Sequence, residues 1–271
     1  LWRSDAPLHP AARRAGRLDP LPARAETPPG PLLYDGPGEL FGRVERIVAT
    51  APDPATIRLT LAPGDRFEIR DGEIVRTRVR TADPATAVQL ALGAPAAVAL
   101  APRGIYLFHA SGIRLADGGA IALTGASGAG KSTFAAATAR AGLACLADDQ
   151  LPVAFAAAAL ALPHWPQPKL PAAAHYPQAA PPALPLRALI ALALAAPDAA
   201  LHLEPLPPAA ALPLWIGATV AARLFDGARL AAHFDRMTEA ARTVPTFRLT
   251  IPRDHDRLPA AVAHLARAFD G

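Results

Sequence analysis

Eight residues, Gly125, Ala126, Ser127, Gly128, Ala129, Gly130, Lys131 and Ser132, match the pattern G-x-x-x-x-G-K-[ST]. The pattern is meaningful only between a strand and a helix, and both neighbours read that way. Ala120 to Thr124 is an apolar run of strand length, and Ser132 to Arg140 is Ala-rich without Gly or Pro. Glycines let such a loop turn tightly and offer bare N–H groups to phosphate oxygens, aided by the positive end of the helix that follows. Lys131 would reach the β- and γ-phosphates, and the Ser132 hydroxyl would ligate Mg²⁺, with Thr133 closing the loop.

A short buried strand, Leu143 to Ala147, follows the helix and delivers Asp148 and Asp149 at its carboxyl end. Ligands in open α/β sheets sit at such strand ends. One of these carboxylates can hold Mg²⁺, directly or through water, and the other can take a proton from an attacking hydroxyl.

Lysine usage points to a second position. The chain has 27 basic residues, and just two of them are lysines, Lys131 and Lys169. A lysine kept in so Arg-biased a chain marks a site for a compact, rotatable ammonium, so Lys169 joins the nucleotide-binding candidates. The formal net charge of +4 suits an anionic nucleotide. The basic residues are scattered without aromatic interleaving, which argues against nucleic acid. No apolar run free of proline reaches the roughly 18 residues of a membrane span. The lone Cys145 can form no intramolecular disulfide, and the expectation is a cytoplasmic protein.

The length suggests two domains, placed at residues 1–100 and 101–271. Residues 1 to about 60 read mostly as loops, with strands at Arg43 to Val48 and Thr56 to Leu61. Asp71-Gly72 turns a hairpin from Arg66–Arg70 to Glu73–Val79. A helix runs from Pro84 toward Leu100, disturbed at Gly93-Ala-Pro95. Ile105 to Ala110 and Gly112 to Ala116 are expected to form a meander with Ala120 to Thr124. That would bring His109 beside the glycine loop.

Later in the chain, Leu151 to Leu162 reads as strand or helix, and Pro163 to Pro171 as a proline-stiffened segment holding Lys169. Strands are expected at Leu186 to Ala196, Leu201 to Leu206 and Thr246 to Ile251. Helices are expected at Ala209 to Phe225, Ala228 to Val244 and Leu258 to Phe269. Leu230, Phe234, Met237 and Ala241 form a stripe assigned to the core.

The segment HASGIRLADGGAIALTGASGAGKS followed by LACLADD resembles the catalytic domain of HPr kinase/phosphorylase and its smaller HPr-kinase-like relatives. WRSDAPL at the start, and PxPKL, PLRALIAL and VPTFRLTIPRD later, are similar to segments of those relatives. The resemblance implies an α/β fold: a P-loop nucleotide-binding domain of the HPr kinase/phosphoenolpyruvate carboxykinase type, preceded by a small β-rich N-terminal domain. It implies ATP and Mg²⁺ as cofactors and, as partner, a peptide or small protein whose Ser hydroxyl is phosphorylated. It leaves room for a homo-oligomer. By position, His109 matches the catalytic histidine, Lys131 the loop lysine, Ser132 the Mg²⁺ hydroxyl, Asp149 the proton acceptor and Asp148 its acidic neighbour. His109 stands one residue further upstream than in that family. The E-I-R-G-like segment that supplies the family's second Mg²⁺ carboxylate is absent, and Lys169 stands in that region. The alternative is therefore an ATP-binding regulatory module without transfer activity. A motor or transporter ATPase fits less well, since no Leu-Ser-Gly-Gly-Gln-like signature is present.

Overall fold

A computed structural model describes residues 2–3, 18–19, 30–40, 43–61, 64–78, 80, 84–126, 128–162 and 183–269. Its contacts divide the chain into two compact units, Leu1–Ile105 with Val220–His233, and Tyr106–Thr219 with Phe234–Gly271.

In the first unit, two-residue strands β1 (Trp2–Arg3) and β2 (Leu18–Asp19) pair in parallel. The main sheet is an antiparallel meander of β3 (Leu32–Leu40), β4 (Arg43–Asp53), β5 (Thr56–Leu61), β6 (Asp65–Arg70) and β7 (Glu73–Arg78). Alternation sets its two faces. Ile57 pairs with Ile69 and Leu59 with Phe67, and all four are buried. On the opposite face of the same two strands, Arg58 pairs with Glu68 at 2.6 Å. Asp71 and Gly72 both adopt positive φ, 51° and 76°, which the two-residue turn between β6 and β7 requires. The expected loops before residue 60 therefore include an unforeseen strand, β3. Its Gly36-Pro37-Gly38 reads as a breaker, yet β3 lies at the edge of the sheet, where proline is tolerated.

The expected disturbance at Gly93 separates α1 (Pro84–Leu92) from α2 (Ala94–Leu100). Pro95 falls in the first turn of α2, where its missing N–H does no harm. All seven residues of α2 are buried, and it packs on β6 and β7.

The second unit is built on a nine-stranded mixed sheet. In chain order its elements are β8 (Ile105–Phe108), β9 (Ser111–Arg114), β10 (Ala120–Thr124), α3 (Lys131–Arg140), β11 (Cys145–Ala147), β12 (Leu151–Phe155), β13 (Ala159–Ala161), β14 (Leu184–Ala195), β15 (His202–Pro205), α4 (Pro208–Ala218), α5 (Gly227–Thr243), β16 (Thr246–Pro252) and α6 (Leu258–Phe269). The chain of α5 begins in the first unit. The main strand order is β11-β9-β10-β14-β13-β12-β8, and β16 pairs with both β14 and β15. Strand β14 runs parallel to β10 and to β16. Ala188 to Leu192 in its centre are buried without interruption, as in a strand covered on both faces.

Over one face, Phe134 of α3 and Ala261, Val262 and Leu265 of α6 join Ile121, Leu123, Ile190 and Leu192 in one apolar core. The α6 positions recur at three- and four-residue spacing, the pattern of a single buried helix face. A second group surrounds Trp215 of α4, whose ring meets Phe108 and Phe155 edge-on.

Three expectations are corrected here. Ile105 to Phe108 does not form a meander with the next strand: β8 lies at the far end of the strand order, beside β12. Burial of Phe108 against Trp215 and Phe155 takes it there. The helix expected from Ala209 to Phe225 stops at Ala218. Thr219 turns extended and donates its hydroxyl to Trp215 O, and Ala221 follows at φ 60°. In α5, Met237 and Ala241 are buried, but Leu230 and Phe234 are 42% and 53% exposed. The buried face instead runs through His233, Met237, Ala240, Ala241 and Val244, one position round the helix.

Candidate functional site

Strand direction brings the candidate residues together. Strand β9 is antiparallel to both β10 and β11. The carboxyl ends of β10 and β11 and the amino end of β9 therefore share one end of the sheet. The glycine loop leaves β10 there, Asp148 and Asp149 leave β11 there, and His109 and Ser111 enter β9 there. It is the strand-end location where ligands of open α/β sheets sit.

The loop joins β10 to α3 as the sequence predicts. Gly130 precedes the helix with φ 85°, a left-handed conformation that a side chain resists. A Cβ on Gly125, at φ 156°, would lie 3.0 Å from Leu192 O, so the backbone itself crosses close to β14. Lys131 is 9% exposed, and its Nζ donates to Gly125 O at 2.8 Å and to Ala126 O at 3.3 Å. The ammonium thus arches back over the loop, at the positive end of a ten-residue helix. Gly128, Ala129, Ser132 and Thr133 complete the loop and the first helical turn, with Ser132 and Thr133 exposed. Ser127 and Lys169 lie outside the described residues.

The two acids separate into two groupings. Asp148 Oδ1 accepts hydrogen bonds from Ser132 Oγ at 3.0 Å and from Ser111 Oγ at 3.1 Å. Asp149 Oδ1 lies 3.4 Å from His109 Nε2, with both side chains about two-fifths exposed. Asp149 has φ 99°, a strained conformation for a residue with a side chain. A register shift between Cys145 and Ala147 on β11 redirects the chain just ahead of the two acids. His109 is held through its backbone: its N–H donates to Ala218 O at 2.7 Å, and its carbonyl accepts from Thr124 Oγ1 at 3.4 Å.

Sequence reasoning assigned no role to Ser111. Its signal is a hydroxyl in an apolar strand: at 1% exposure it needs a hydrogen-bond partner.

Cys145 Sγ–H donates to Ala147 O at 3.3 Å. Burial pushes the thiol up to about 11, and the nearby Asp148 carboxylate acts in the same direction. A folded thiol that keeps its proton to about pH 11 opposes an unfolded one that loses it near 9. Across that window the unfolded state binds fewer protons, so stability falls as pH rises. Wild type loses up to about 2 kcal/mol more than Cys145→Ala between pH 8 and 10.5, read from urea midpoints. Parallel curves for the two proteins count against this account.

The chemical capacity of the site follows from its atoms. Loop N–H groups and the Lys131 ammonium suit a polyanion. A hydroxyl and a carboxylate are hard oxygen ligands of the kind Mg²⁺ takes. Among the described residues no group of three or more His, Cys, Asp or Glu could hold a metal by itself.

No protein-family model matches the chain. No curated protein matches it significantly. Among solved structures, the chain is similar to the HPr(Ser) kinase/phosphatase from Coxiella burnetii, at 13% identity and a TM-score of 0.35, over 60% of this chain and 90% of that one. Among the described residues no helix is long and apolar enough to cross a membrane.

Proposed function

We propose that the chain is an ATP-dependent, HPr-kinase-like kinase that moves the γ-phosphoryl group to the Ser hydroxyl of a peptide or small protein. One observation carries the reading: three strand ends bring the glycine loop, the Ser132–Asp148 pair and the Asp149–His109 pair to one end of the sheet.

Loop N–H groups from Gly125 to Thr133 and the Lys131 ammonium bind and orient the phosphates. Ser132 and Asp148 would hold Mg²⁺, which supplies charge neutralisation on the phosphate oxygens. Asp149 accepts the proton of the attacking hydroxyl as the new O–P bond forms and the bond to the departing ADP oxygen breaks. His109 orients that carboxylate. Lys169 is part of the proposal as a second cation toward the nucleotide. A cytoplasmic setting and an acceptor that is neither nucleic acid nor membrane belong to it too.

Lys131→Ala weakens Mg·ATP binding by at least about 10²-fold in calorimetry, the scale of a lost charge-assisted contact to phosphate. Equal affinity in the two proteins sinks the nucleotide reading. Transfer of label from γ-phosphate to a Ser-containing acceptor separates a kinase from a regulatory module that binds ATP without turnover.

A further inference from the structure

We propose that Ser111 is a positioning residue: its buried hydroxyl holds the Asp148 carboxylate in the orientation that receives Ser132. The inference rests on the kinase reading above and adds to it a residue outside the glycine loop and the acidic pair.

The geometry is specific to one oxygen. Ser111 Oγ at 3.1 Å and Ser132 Oγ at 3.0 Å both donate to Asp148 Oδ1, one from β9 and the other from α3. Two donors on a single oxygen fix the rotation of the carboxylate and leave Oδ2 as the oxygen that neither hydroxyl uses. Bonds to a charged acceptor are the stronger kind, and Ser111, at 1% exposure, has little competition from water.

Asp148 needs such a strut. Strand β11 is three residues long and its pairing with β9 is irregular, so its ladder holds the following residue weakly. Strand β9 is held on both sides, with Ser111 opposite Leu123 of β10 and Gly112 opposite Ala147 of β11. Ser111 therefore ties Asp148 to the well-anchored strand. A Ser132 hydroxyl whose hydrogen is committed to Asp148 turns its lone pairs away from that carboxylate, the state a cation requires of a hydroxyl ligand. Groups that orient metal ligands in this way typically change metal affinity 10- to 100-fold when removed.

The test is calorimetry on the full chain, titrating Mg²⁺ at fixed ATP and ATP alone in EDTA, with melting temperature recorded. Ser111→Ala weakens the apparent Mg²⁺ affinity about tenfold, with ATP binding in EDTA as in wild type and a melting temperature lower by just a few degrees, the scale of one lost buried hydrogen bond. Ser111→Cys, close in size with a weaker donor, falls between the two and serves if the Ala variant does not fold. Wild-type Mg²⁺ affinity in the variants, or an equal loss with and without Mg²⁺, overturns the proposal. Lys131→Ala binding ATP like wild type is the separate failure of the kinase reading itself.

Discussion

Asp149→Asn lowers phosphoryl transfer by about 10²- to 10⁴-fold while ATP affinity stays within about twofold. The asymmetry follows from how the two acids are held. Asp148 is engaged by the Ser111 and Ser132 hydroxyls, whereas Asp149 Oδ1 faces His109 Nε2 at 3.4 Å. An amide of the same shape cannot accept the hydroxyl proton, and the loss amounts to roughly 3 to 5 kcal/mol of transition-state stabilisation. Asn also tolerates positive φ, so the turn at φ 99° survives the change. Asp149→Gly is the companion variant: it relieves the backbone strain, gains about 1 kcal/mol of stability and is equally inactive. Normal turnover in Asp149→Asn with a known acceptor removes Asp149 from the chemistry.

Trp215→Ala destabilises the protein by about 3 to 5 kcal/mol, a large part of a typical domain's stability. The side chain is fully buried, and its ring meets Phe108 at 5.5 Å and Phe155 at 6.1 Å between centroids. Truncation leaves a cavity among three strands and also strips Thr246 Oγ1 of the 3.0 Å bond from the indole N–H. Trp215→Phe separates the two terms, since it refills most of the space and loses just the hydrogen bond, at about 1 kcal/mol. Urea unfolding measures both. A shift below about 1 kcal/mol for Trp215→Ala would show that the site collapses freely and that this aromatic group is not a rigid part of the core.

Leu230 and Phe234 show the limit of periodicity. Helical spacing predicts α5 to within a residue of its observed bounds, yet the buried stripe starts at His233. Burial there disfavours the charged imidazole and holds the His233 pKa below the usual histidine value. Spacing identifies a helix, and the elements packed on it choose which face is covered.

By itself, the sequence determined what depends on neighbours along the chain. The strand, glycine loop and helix around Lys131 are set by local dihedral freedom and side-chain spacing, as is the Asp71-Gly72 hairpin. Tertiary structure decided what depends on pairing between distant segments: the far placement of β8, the end of α4 at Thr219, and the return of Val220–His233 to the first unit. The candidate site divides along the same line. Lys131, Ser132, Asp148 and Asp149 carry a recognisable spacing, but the 3.1 Å bond from Ser111 exists because β9 runs antiparallel between β10 and β11. Strand order is settled by the burial of both sheet faces at once, a sum over the whole unit that no local window of sequence contains.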